Sequence, residues 1–267
     1  MAPRWLLAIA LTLGCTAMPA AQTEPVTPQE VVFPSGALQL HGFVWKPPGD
    51  GPFPAVLWNH GSEKLPGSQP ALGRFYTGRG YVFFIPHRRG QGRSPGTYIG
   101  DELAATLAPS RPARQIALLE AQVDDVLAAL TFLEAQPYVA RDRVAMSGCS
   151  YGGIETLLAG ERKPHVIALV PFAPGAESWS SNSGLQARLL RAVAAAAVPL
   201  FLLQAQNDYN LAPSNVLGPA VRKHGPPSAA KIYPPFGASN ADGHYGFCAT
   251  ATGVWGDDVL AFLTAAG

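Results

Sequence analysis

The chain has 267 residues, 48% of them hydrophobic, enough for one large domain with a proper core and too few for two comfortable ones. Its 19 Lys and Arg nearly balance its 18 Asp and Glu, for a formal charge of +1, and neither sign clusters. This excludes a basic face for nucleic acid and an acidic tail, and favours a small neutral or weakly charged ligand.

The opening stretch MAPRWLLAIALTLGCTAMPAAQ carries an early Arg, an apolar run from Trp5 to Leu13 and then small residues, the order of a secretory signal peptide. Residues 1–21 are therefore set apart from the fold, and a secreted or periplasmic protein is expected. The apolar run is too short for a lasting bilayer span, and no later segment offers about 18 uninterrupted apolar residues, so no stable span is predicted. Cys15 after LTLG resembles a lipoprotein cleavage site, which leaves an outer-membrane lipid anchor as the alternative to cleavage near Ala20 or Ala21. Residues 22–34, Pro-rich and polar, read as a linker, and residues 35–267 as a single domain, expected to act as a monomer.

Short apolar runs then alternate with longer helical patterns. The runs fall at 38–45, 53–60, 81–87, 143–148, 166–172, 199–206 and 231–234. Most are unbroken, as expected of strands covered on both faces of a parallel sheet. Residues 114–136 place apolar side chains at helical spacing over about six turns; IETLLAG continues a helix, the Ala-rich 191–198 reads as another, and 253–266 closes the chain with one more. The order predicts an α/β fold with a mostly parallel, twisted sheet of about eight strands and helices on both faces, its site on loops at the carboxyl ends of the strands.

Two stretches fit G-x-S-x-G: GRSPG at 92–96 and GCSYG at 148–152. Only the second has a strand before it and a helix at once after it, the setting that puts a nucleophilic serine on a strained turn. Ser150 is the candidate nucleophile, its alternative a plain helix cap. Ser94 is followed by Pro95, which pushes it toward extended backbone, and PHRRGQGRSPG reads as a solvated, Gly-tuned turn beside the site.

A serine hydroxyl needs a base, and the base needs an orienting acid. His244, in ADGHYGF after the last strand, is the candidate base. His60 and His87 end strands and could line the site. Asp208, just past a strand end in QNDYN, is the candidate acid, and Ser, Asp, His is a known chain order for such a triad. Asp242 is the runner-up, while Asp124 and Asp125 on the long helix read as solvated charges. The oxyanion expected on the substrate calls for preset donors: the N–H of Tyr151, and one from NHGS after the second run, with Ser62 chosen over Gly61. Segments 97–112 and 173–184 would shape the site, with Trp179, Tyr209 and Tyr151 as candidate substrate contacts or core filling.

Taken together, NHGS, RRGQGRSPG, the stretch from VDDVLAALTFLEAQ to the GCSYGG turn, QNDY and GHYGF resemble the α/β-hydrolase superfamily over roughly 35–267, and within it the dienelactone-hydrolase-like and prolyl-oligopeptidase-like branches. The dienelactone hydrolases proper use a cysteine nucleophile, and Cys149 stands one position too early for that role, so serine chemistry is expected. The resemblance implies a serine hydrolase cleaving small carboxylic esters through an acyl-enzyme. A serine peptidase is the runner-up, weakened by the lack of an accessory domain and of an evident acidic clamp for an amino terminus; a silent binding protein is the other class. No nucleotide fingerprint or metal-ligand cluster is found, so neither cofactor nor metal is expected. Cys149 abuts the serine and Cys248 follows His244 by four residues, so the implied fold brings both near one site; a disulfide and two separate buried thiols both stay open.

Overall fold

The computed structural model describes Met1 and residues 25–267; the remainder of the leader-like segment, with Cys15, lies outside the described residues. Strands β1 (Gln29–Ser35), β2 (Leu38–Trp45) and β3 (Phe53–Asn59) lead into helix α1 (Pro70–Thr77), β4 (Val82–Pro86), α2 (Ile99–Ala105) and the long α3 (Arg111–Glu134). Then come β5 (Val139–Cys149), α4 (Tyr151–Glu161), β6 (Ala168–Phe172), α5 (Ser183–Ala195), β7 (Phe201–Ala205), α6 (Ala212–Arg222), β8 (Ala229–Tyr233), a short turn α7 (Phe247–Thr250) and α8 (Thr252–Ala266).

The eight strands form one sheet in the order β1-β2-β4-β3-β5-β6-β7-β8. β1 and β2 are antiparallel to each other and β2 to β4, while every later pair is parallel. β1 corrects the expectation of a linker through residue 34. Its polar letters hid it because an edge strand has one neighbour, and only Phe33 and Ser35 of its seven residues are buried. The Ala-rich helix also differs from expectation: it begins at Ser183, where the Asn182 side chain accepts from the Leu185 N–H at 3.0 Å, and stops at Ala195. Val198-Pro199 then needs extended backbone to enter β7, which outweighs alanine's preference for helix.

Strand pleating sends alternate side chains to two cores. Ala55 and Leu57 of β3 and Phe84 of β4 face a core with α3, α4 and α5, while Val56, Trp58, Phe83 and Ile85 face a second with α1 and α8. All five β4 residues are buried, which is why its run VFFIP is apolar without alternation. Each such aliphatic or aromatic side chain contributes about 1.5–3 kcal/mol on burial. The two cores cover the sheet on both faces, so only the loops at the strand ends are left to build a site. Among the described residues no helix is long and apolar enough to cross a membrane.

Candidate active site

β5 is covered on both sides, and at its carboxyl end the chain has one residue in which to turn into α4. That residue is Ser150, with φ 57° and ψ −117°. A non-glycine residue held there costs on the order of 1–3 kcal/mol and persists only if its surroundings enforce it. They do: the Ser150 N–H donates to Phe172 O on β6 at 3.0 Å, and its carbonyl accepts the first helical bond, from Ile154 N, at 3.1 Å. The turn also needs its glycines. A Cβ on Gly152 would run into the Asn59 carbonyl of β3, and one on Gly153 would sit 2.7 Å from Phe172 O. Since α4 starts at Tyr151, that residue's N–H has no partner within the helix and is free to meet negative charge.

His244 lies in a single π-helical turn, Asp242–Gly246, between β8 and α7, a local form that often marks a functional site. It is buried, its Nδ1 sits 2.9 Å and 3.0 Å from the two carboxylate oxygens of Asp208, and its Nε2 is buried without a hydrogen-bond partner. Ser150 and His244 line one cavity of about 160 Å³ together with Gly61, Ser62, Glu63, Glu177, Tyr209, Ala241 and Tyr245. The structure thus brings together Ser150, His244, Asp208 and Ser62, and Tyr151 directly follows the serine.

Two residues that the sequence reading passed over hold Asp208 and the His244 loop in place. Gln204, buried on β7, donates to Asp208 Oδ2 at 2.9 Å and is itself oriented by Ser214 and the Asn210 carbonyl. Asn207, next to Asp208, donates to the carbonyls of Phe236 and Ser239 and accepts from the Phe236 N–H, all at 2.9 Å, stitching the histidine loop to the acid loop. Both look in sequence like ordinary polar residues at a strand end. A third link is covalent: Cys149 and Cys248 form a disulfide, Sγ to Sγ 2.06 Å, joining the residue before Ser150 to the segment after His244.

The other histidines are occupied elsewhere. His60 makes a bond to the Gly61 carbonyl at 3.0 Å, and burial, with the Arg88 charge beside it, pushes its imidazole well below the ordinary value. His87 donates to the Gly67 carbonyl at 2.9 Å, and burial likewise lowers it. Asp242 is spent on the N–H groups of Ala238 and Ser239, so it does not serve the imidazole.

Three expectations change. Asp125 is buried rather than solvated, accepting from Ser35 Oγ, the Arg89 backbone N–H and the Arg89 guanidinium; Asp124 is exposed as expected. PHRRGQG is not a solvated turn, for Arg88 is 1% exposed. Trp179 is core filling, 4% exposed and packed with α3 and α5, whereas Tyr209 is 45% exposed on the cavity wall with its ring 5.5 Å from that of His244. Tyr151 points its hydroxyl away to Gln115, 2.7 Å distant.

The cavity is more acidic than the sequence suggested. Glu63 and Glu177 both line it, and neither forms a salt bridge among the described residues. Burial pushes the Glu63 carboxyl above its ordinary value, and its Oε2 is buried without a partner. Sequence reading could have found Glu63 from its place one residue after Ser62, but Glu177 depends on a loop returning across the sheet. Among the described residues no group of three or more His, Cys, Asp or Glu is placed to hold a metal ion.

These features have known counterparts. The family model of the X-Pro dipeptidyl-peptidases (S15 family) matches residues 36–222. Among solved structures, the chain is similar to Pyrococcus horikoshii acylaminoacyl peptidase at 18% identity and TM-score 0.62, covering 81% of this chain and 38% of that one, so it spans well under half of that protein. It is similar to an esterase of Pyrococcus furiosus at 15% identity and TM-score 0.64, covering 90% and 91% of the two chains. Est1E from Butyrivibrio proteoclasticus, solved with ferulic acid bound, is similar at 14% identity and TM-score 0.66, covering 88% and 99%. No curated protein sequence matches. The solved structures share the sheet and its helices, which makes the fold an α/β-hydrolase fold. A family match running through well over half the chain, from β2 to the end of α6, goes further: the chain belongs to the S15 peptidase family of the α/β-hydrolases.

Proposed function

We propose that the protein is an exported serine hydrolase that cleaves small carboxylic esters through an acyl-enzyme, with Ser150 as nucleophile, His244 as general base and Asp208 as its orienting acid. The observation that carries this reading is the buried imidazole whose Nδ1 is held by a carboxylate while its Nε2 is left unpartnered on the wall it shares with Ser150. A neutral imidazole with Nδ1–H donated to Asp208 must present Nε2 as the acceptor, the state needed to take a hydroxyl proton. As Ser150 Oγ bonds to the carbonyl carbon, that proton passes to Nε2, and negative charge moves to the carbonyl oxygen. The N–H groups of Tyr151 and Ser62 receive this charge; the proton on Nε2 then goes to the leaving oxygen, and water repeats the sequence on the ester of Ser150. At about 160 Å³ the cavity is below the usual 300–1,000 Å³ of drug-sized sites, which favours a short acyl group. Export is supported by the leader-like opening sequence and fits a disulfide beside the site.

A second reading, a serine peptidase, is favoured by one observation: Glu63 and Glu177 stand on the cavity wall where an ammonium group could pair with them. The test is fluorophosphonate labelling of wild type, Ser150→Ala and Ser94→Ala, followed by turnover of short acyl esters and of aminoacyl amides with free or blocked amino groups. Labelling lost with Ser150→Ala and fastest turnover of neutral esters is the expected result. Preference for free-amine amides, abolished by Glu63→Gln, would favour the peptidase; no labelling and no turnover would leave a binding protein on this fold.

A further inference from the structure

Among the described residues Arg88 is the most deeply buried guanidinium, 1% exposed, and it forms no salt bridge. The acid nearest in the chain pattern, Asp125, is taken by Arg89, and the buried Glu155 on α4 has no hydrogen-bond partner on either oxygen. Instead Arg88 donates Nη1 to the His60 carbonyl at 2.9 Å, Nη2 to the Gly61 carbonyl at 2.8 Å and Nε to Gln122 Oε1 at 3.0 Å. Its two Nη donors are therefore held by two consecutive backbone carbonyls.

Those carbonyls belong to the peptide units His60–Gly61 and Gly61–Ser62. In a planar trans peptide the C=O and the following N–H point in opposite directions. Pinning the two oxygens to a buried cation accordingly aims the N–H groups of Gly61 and Ser62 away from Arg88, and these two residues line the cavity with Ser150. A charged donor on the oxygen also polarises the peptide and strengthens its N–H as a donor. The same segment is gripped further on, where Gln91 donates to the Glu63 carbonyl at 2.9 Å and the Gly92 N–H to the Lys64 carbonyl at 2.8 Å.

We infer that Arg88 is the positioning residue of the oxyanion site: by holding the His60 and Gly61 carbonyls it sets the direction and strength of the Gly61 and Ser62 N–H donors, and Gln122 sets Arg88. This rests on the reading of Ser150 as nucleophile. Loss of an interaction made only when the oxyanion forms lowers kcat and spares KM. Loss of one such donor costs about 100- to 1000-fold in kcat, so Arg88→Met should approach that range. Arg88→Lys, whose ammonium lacks the fork that spans two acceptors, should fall between it and wild type.

The experiment compares wild type, Arg88→Met, Arg88→Lys and Gln122→Leu as full chains, with active sites titrated to completion by a fluorophosphonate so that kcat is expressed per competent site. An alkylboronic acid, which forms a tetrahedral adduct on a serine, is the second probe. The proposal expects kcat per site to fall in the order Gln122→Leu, Arg88→Lys, Arg88→Met, with KM within about twofold and boronate affinity falling in step with kcat/KM. A residue needed only for folding would lower the number of titrated sites and leave kcat per site unchanged, and that result overturns the proposal. If Arg88→Met does not fold, unchanged kcat and boronate affinity in both Arg88→Lys and Gln122→Leu overturn it equally. Wild type that neither labels nor hydrolyses esters would instead sink the reading beneath it, and the proposal with it.

Discussion

GCSYG and GRSPG share a pattern and differ in what their serine hydroxyls are left to do. Ser94 is tied down on both sides of its oxygen: it donates to the His87 carbonyl at 2.7 Å and accepts from the His41 N–H at 2.9 Å, joining the turn after β4 to β2. Ser150 is held by its backbone instead, through Phe172 and Ile154, and its side chain lines the cavity with His244. The contrast extends to the surroundings. After β4 the charged groups are consumed in structure, Arg89 by Asp125 and Arg88 by two carbonyls, whereas around the elbow His244 Nε2 and Glu155 are buried without partners.

The largest expected difference is in turnover. Ser150→Ala should lower kcat on a short ester by about 10⁶-fold, while Ser94→Ala leaves it within about twofold; equal losses in the two variants would break the comparison. Next, Asp208→Asn should cost about 10⁴-fold, because the amide would present the wrong group to Nδ1 and leave the imidazole in the wrong tautomer. A drop of less than tenfold, measured per titrated site, would remove Asp208 from its role.

The elbow is also the end that is covalently tied. The Cys149–Cys248 bond closes a sequence separation of 99 residues, so replacing both by Ala should lower unfolding free energy by about 2–5 kcal/mol in urea titration. Unchanged stability would show that packing alone holds the histidine loop. A pH-dependent effect is expected from Glu155, whose carboxyl burial pushes from 4.5 up to about 8, with Arg88 opposing and Asp125 assisting. A raised carboxyl keeps its proton in the folded chain after the unfolded chain has lost it. Its contribution is thus complete below pH 4.5, and stability falls as pH rises toward 8. The slope is at most about 1.4 kcal/mol per pH unit. Glu155→Gln cannot titrate and should be flatter over that window; identical slopes would reject the buried acid. Smallest of all, Ser94→Ala should destabilise by about 1–2 kcal/mol through two lost hydrogen bonds, with Tm moving and kcat not.

Much of this was legible in the letters. Unbroken apolar runs announced a sheet covered on both faces, and the strand, tight turn and helix around Ser150 separated the two serines without a structure. Asp208 and His244 followed from their places after strand ends. β1 escaped because an edge strand carries few buried residues, and Gln204 and Asn207 because a polar residue at a strand end looks the same whether it faces water or a carboxylate. Asp125 and Arg88 were misjudged for a related reason: helical spacing and a glycine-rich turn report local geometry, while burial of a charge depends on what other segments bring to cover it.

The division follows from the range of the forces involved. Backbone preference and hydrophobic period act over a few residues, so the sequence by itself determined the α/β alternation, the elbow and the chemical types of the proposed triad. Which carboxylate meets His244, which guanidinium meets the His60 and Gly61 carbonyls, which acids face the cavity and whether Cys149 reaches Cys248 all join residues 27 to 99 positions apart. Those pairings exist only once β4, β3, β5, β6 and β7 lie in one sheet with their carboxyl ends together, because hydrogen bonds and ion contacts act over about 3 Å and only the packed sheet brings their partners that close.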